Sequence, residues 1–258
     1  MMQWLAVFRR ENLENWRNFK WIWVPIVFIL LGVMDPISMY YLPKILEATG
    51  GLPEAASLNL PQYRPEDIIM ASLSQFSQLG VLIIVLMTMG LIARERRSGV
   101  AELVLVKPVK YRTYITAKWS ATSLLVLVSL TCGLLMSWYY TNILFGVLSF
   151  QQFLQVWGFY SFWLLFVVSI SMFMNTLVKN SGAVAFLTFM TIILSSIVTK
   201  IFSKYLVWSP NRLSEYIMDT INTGTVPGEL LGTAGMSSVL ILLLITGSVF
   251  MLRTKEMA

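Results

Sequence analysis

The sequence contains no histidine and a single cysteine, Cys132, which lies inside an apolar run. An intrachain disulfide is therefore excluded, and imidazole or thiolate metal centres have no ligands to build on. Charge is scarce as well. Only 12% of residues are Asp, Glu, Lys or Arg, where soluble domains run about 25%. The stretches 68–93, 119–178, 180–199 and 230–252 hold none at all. Proton relays and voltage sensors need ionisable groups within the membrane. Intramembrane proteolysis needs an acid pair, an activated serine or a zinc motif. None of these can be assembled from such stretches. A phosphate-binding loop is missing too, because no glycine precedes any lysine and the Gly-Lys-[Ser/Thr] ending cannot form.

What the sequence has in abundance is apolar surface: 57% of residues are hydrophobic and the mean hydropathy is +0.71. These values predict an all-α polytopic membrane protein, with residues 1–258 forming one transmembrane domain. Six spans are expected at about 21–41, 68–93, 118–141, 156–178, 181–202 and 234–252, each long enough to cross a hydrocarbon core of about 30 Å. Asp35-Pro36 is expected to interrupt or kink the outer end of the first. In residues 1–20, Trp4, Leu5, Phe8, Trp16 and Phe19 fall on one helical arc, and Arg10, Glu14 and Arg17 on the other. That pattern predicts an interfacial amphipathic helix rather than a signal peptide. The polar stretch 42–67 reads as loop with short helical pieces. Residues 203–233, with Trp208, Pro210, Tyr216, Pro227 and Gly228, read as short interfacial helices anchored by aromatics.

With the N-terminus in the cytoplasm and alternating spans, fourteen Lys and Arg residues lie on the inner side and five on the outer. The positive-inside rule then places both termini in the cytoplasm, in the plasma membrane of the cell. The net charge of +6 is thus a topology signal, not a nucleic-acid footprint, and no nucleic-acid partner is expected.

Polar residues within the spans are hydroxyls and amides. Ser74, Gln75, Ser77 and Gln78 fall in the second span, and Thr188, Thr191, Ser195 and Thr199 repeat at three- and four-residue spacing in the fifth. Ser74, Gln75, Gln78 and the four of the fifth span are candidates for lining a translocation path. The competing reading is hydrogen bonding between helices, which small hydroxyl residues supply routinely.

The longest inner loop, 94–117, runs from Arg94-Glu95-Arg96-Arg97 through Gly99, Val100, Glu102, Leu103, Val104 and Lys107 to Pro108. Val100, Leu103, Val104 and Lys107 share a helical face and Pro108 ends it. Such a short amphipathic helix suits docking into the groove of a soluble partner. The alternative is a basic loop lying against membrane lipids.

Glu95, Arg96, Gly99, Glu102, Leu103 and Pro108 resemble the E-R-E-x-G-T-x-E-x-L-L-x-x-P signature of ABC transporter permeases of type 2. The order of features agrees along nearly the whole chain, including the tight Lys179-Asn180-Ser181 turn. Arg97 and Val100 depart from the usual Glu and Thr. The resemblance implies an exporter subunit that dimerises with a second copy or a paralogue. It also implies a separate cytoplasmic ABC ATPase gripping 94–112 through Glu95, Arg96, Gly99, Glu102, Leu103, Val104 and Pro108. ATP and magnesium would sit on that ATPase, with no cofactor and no catalysis on this chain. A membrane regulatory subunit that moves no substrate is the alternative.

Overall fold

The computed structural model describes residues 2–48, 63–99 and 110–256. Among them are six helices long and apolar enough to cross a membrane: Lys20–Ile45, Pro65–Arg97, Tyr111–Leu144, Phe150–Leu177, Ser181–Ile201 and Gly228–Lys255. They are called spans 1 to 6. A helix at Met2–Arg17 precedes them. A short helix at Leu213–Thr223 lies between spans 5 and 6, where aromatic-anchored helices were expected.

The spans stand where the charge-free runs predict, but several helices start earlier. Span 3 begins at Tyr111 rather than 118, so 111–117 is helix and not loop. Span 4 begins at Phe150, fixed by a capping box in which Ser149 and Gln152 satisfy each other's backbone N–H. The expected interruption of span 1 is absent, since the helix Lys20–Ala48 is continuous through Pro25, Pro36 and Pro43. A proline in a buried bundle helix removes one hydrogen bond, and neighbouring helices hold the chain in place. Asp35 consequently lies within span 1, where its Oδ1 accepts from Gln75 Nε2 of span 2 at 3.5 Å. Asp35 is thus a carboxyl within a span, whereas the charge-free stretches of the sequence lie in spans 2 to 6.

Span 4 is the hub: 67% of its most apolar stretch is buried, against 22% in spans 5 and 6. The outer spans therefore present most of their apolar surface to lipid or to another chain. Spans 1 and 3 approach each other backbone to backbone at Gly32 and Gly133. A Cβ at Gly32 would meet the Gly133 carbonyl at 2.2 Å, and one at Gly133 the Phe28 carbonyl at 2.6 Å. Small residues allow such backbone contact between membrane helices. Phe76 of span 2 stacks on Phe28 at 5.4 Å beside this crossing, so spans 1, 2 and 3 interlock at one depth. Hydroxyl pairs add cross-links: Ser72 with Ser137 at 2.8 Å, Ser77 with Tyr160 at 2.8 Å, and Thr88 with Ser171 at 2.6 Å.

Candidate functional site

Span 2 changes character as it leaves the bundle. Its helix stops after Thr88 and resumes at Ala93–Arg97, leaving backbone groups without helical partners. One side chain of span 4 repairs the break. Asn175 Oδ1 accepts from the N–H of Ile92 and of Ala93, both at 3.2 Å, and its Nδ2 donates to the Thr88 carbonyl at 3.0 Å. Irregular backbone inside a bundle persists only with such compensation. One turn on, buried Arg96 donates from Nη1 to the Thr176 carbonyl at 2.9 Å. The first end of the inner loop is thus fastened to the end of span 4.

The second end is fastened by charge. Lys118 of span 3 is 1% exposed, and its Nζ donates to Glu11 Oε1 at 2.7 Å and to Glu95 Oε1 at 3.1 Å. Arg10 Nη2 donates to the same Glu95 oxygen at 3.2 Å, and the Tyr114 hydroxyl donates to its Oε2. Glu95 therefore collects donors from the N-terminal helix and from span 3. Burial pushes the Glu11 carboxyl above the usual glutamate range, outweighing the lowering by Lys118. The helix Met2–Arg17 turns Glu11 and Asn15 toward the bundle, while Leu5, Leu13 and Trp16 face outward.

Of the predicted docking residues, Glu95 and Arg96 thus point into the protein. Gly99 has φ of 74°, in the left-handed region that favours glycine, and turns the chain there. Glu102, Leu103, Val104 and Pro108 lie outside the described residues. Glu11, Lys118 and Asn175 were missed. Lys118 was read only as a topology charge, although it abuts the charge-free run and shares a helical face with Tyr114, four residues earlier.

The predicted path residues divide. Ser74 and Gln78 are exposed, with Gln78 Nε2 donating to Ser74 Oγ at 3.1 Å, while Gln75 turns to Asp35. The hydroxyls of Thr188 and Thr191 donate to carbonyls of their own helix, at Val184 and Leu187. Ser195 and Thr199 meet Asn211 Nδ2 at 3.3 Å each, and Thr199 meets Ser209 at 2.7 Å. A cleft of about 410 Å³ joins Ser74 and Ser77 of span 2 to Ser196 of span 5, Asn211 and Ser214. Trp163 also lines it, and its indole N–H is buried with no partner among the described residues. The lining has no charge, so this cleft can offer hydrogen bonds and apolar contact only. The hydroxyls that bridge spans include Ser72 with Ser137, Ser77 with Tyr160, Thr88 with Ser171, and Thr131 and Ser169, which accept from the indoles of Trp157 and Trp119. Of the path candidates only Ser74 lines the cleft.

Residues 5–252 match the family model described as ABC-2 family transporter protein. The chain is also 32% identical over 181 residues, 70% of each chain, to a relative from Bacillus subtilis (strain 168) described as the uncharacterized transmembrane protein YxlG. The signature residues around the inner loop, the six spans and a match along almost the full length agree, and the chain belongs to the ABC-2 family of membrane transporter proteins.

Proposed function

We propose that the chain is the permease half of an ATP-driven exporter. It pairs with a second copy or a paralogue, keeps both termini in the cytoplasm, and draws power from a separate ABC ATPase docked on 94–112. The observation that carries this reading is the anchoring of both ends of the loop. Arg96 and Asn175 tie one end to span 4, and Glu95, Tyr114 and Lys118 tie it to span 3 and the N-terminal helix. A loop held this way passes a push from a soluble motor into several spans at once. ATP and magnesium belong to the motor, in keeping with the missing Gly-Lys pair.

The route we infer runs along spans 2 and 5. Gln78 lies thirteen residues inside span 2, about 20 Å from its outer end at 1.5 Å per residue. An exposed amide at that depth is unfavourable against lipid, so a second copy or a water-filled path is its natural neighbour. The uncharged cleft beside Ser74 opens from this face. Thr188, Thr191, Ser195 and Thr199 continue the route along one side of span 5.

Co-purification with the cognate ABC ATPase tests the docking. Replacing Leu103 and Val104 together by Asp puts charge into an apolar groove, and the ATPase is expected to be lost while the permease keeps its thermal stability. Undiminished co-purification would remove the docking claim.

A further inference from the structure

Where the N-terminal helix meets span 1, Phe19 adopts φ of 56° and the chain bends sharply. The bend faces the break in span 2 at 89–92, and between them lies a cleft of about 290 Å³. Its inner wall is the Glu11–Lys118–Glu95 network, in which opposite charges already answer one another. Its rim is different. Lys20 and Arg94 supply two cations and Glu14 one anion. Neither Arg94 nor Glu14 has a side-chain ion pair among the described residues. The ammonium of Lys20 donates to the Met87 carbonyl at 3.4 Å and is attracted by Glu14 and Glu11.

Below the rim the cleft is apolar. Trp23 and Leu86 form that wall and are 38% and 49% exposed on the membrane side. The site therefore has the profile of a lipid at the membrane boundary, with both charge signs above and hydrocarbon below. A metal ion is the rival occupant, because carboxylate oxygens of Glu11, Glu14 and Glu95 lie within 4.8 Å of one another. Lys118 Nζ already stands on two of these three groups, at 2.7 and 3.1 Å, and so holds the position a cation would take. Glu14 attracts Lys20 without a close ion pair among the described residues, and so can receive a cation from outside.

We propose that this cleft seats a phospholipid whose headgroup carries a primary amine. Lys20 and Arg94 hold the phosphate, Glu14 accepts from the ammonium, and the first part of an acyl chain lies over Trp23 and Leu86. Charge-assisted hydrogen bonds from two cations fit a phosphodiester, and the carboxylate selects an amine that can donate over a quaternary one that cannot. Arg94 stands at the first position of 94–112, whereas Lys20, Glu14, Trp23 and Leu86 lie outside it, so the effect of Glu14→Gln on lipid selectivity is separable from ATPase docking.

Native mass spectrometry of the full chain in detergent tests it, with phosphatidylethanolamine, phosphatidylcholine, phosphatidylglycerol and diacylglycerol each added at equal concentration. Phosphatidylethanolamine is expected to be retained about tenfold better than diacylglycerol, the effect of one well-placed charged contact. Lys20→Gln with Arg94→Gln should bring retention down to the diacylglycerol level. Glu14→Gln, an exposed position where the fold is not at stake, should erase the preference for phosphatidylethanolamine over phosphatidylcholine. Equal retention of diacylglycerol, or unchanged selectivity in Glu14→Gln, would overturn the proposal. Displacement of the lipid by soluble phosphoethanolamine at equal concentration would also overturn it, by showing a small-anion site instead. Preferential binding of magnesium, lost in Glu14→Gln, would assign the cleft to a metal.

Discussion

Lys118 is a fully buried ammonium in the first turns of span 3, and its partners come from two other parts of the chain. Replacing it with Met leaves Glu11 buried without a counter-charge, which costs about 3–5 kcal/mol when one partner of a buried pair is removed. The thermal midpoint of Lys118→Met in detergent should fall sharply. Pairing it with Glu11→Gln should recover part of the loss, the non-additivity expected of contacting groups. Glu11 makes a separate prediction about pH. Its folded pKa is raised above the ordinary 4.5 because burial disfavours the carboxylate. The folded state thus binds the proton more tightly than the unfolded chain. Its contribution to stability is complete below pH 4.5 and is lost as pH rises through the raised value. Relative to Glu11→Gln, the protein should lose stability across that window and level off above it; a relative gain across the window would contradict the assignment. Neither Glu11 nor Lys118 was legible in the sequence as a partner, because 107 residues separate them and no local pattern marks such a contact.

Helix elements were far more legible. Long charge-free runs have one outcome in a bilayer, a helix that satisfies its own backbone, and the six spans follow from it. Their ends were less so. Span 3 continues through Arg112 and Lys118 because the helix extends past the apolar core into polar surroundings, where composition no longer distinguishes helix from loop. Pro36 does not end the helix, because neighbouring helices hold the chain where its hydrogen bond is lost. The crossing of spans 1 and 3 gives the clearest element-level test. Gly32→Ala drives a methyl into the Gly133 carbonyl and should destabilise by about 1–3 kcal/mol or more, the cost of overpacking against backbone that cannot move aside. Gly158→Ala in span 4 meets nothing within 4 Å and serves as the control, expected to be neutral or slightly stabilising on helix propensity. Equal thermal midpoints for the two variants would show that the spans do not touch there.

At the scale of the whole molecule, a loop tied at both ends into several helices and an uncharged cleft lie beside spans 5 and 6, whose apolar faces are largely uncovered. Family and fold class were readable from the signature and from composition. The anchoring of the loop was not, because it depends on Asn175 and Arg96 bridging span 2 to the end of span 4, eighty or more residues apart in the chain. On the proposed reading, force enters through this loop from a separate ABC ATPase. ATP turnover by the permease reconstituted in liposomes, alone and with its cognate ABC ATPase, tests that reading most directly. The permease alone is expected to show no turnover, and turnover with the ATPase is expected to be suppressed by Glu102→Lys. Turnover by the highly purified permease alone, or a stimulation indifferent to Glu102→Lys, would contradict it.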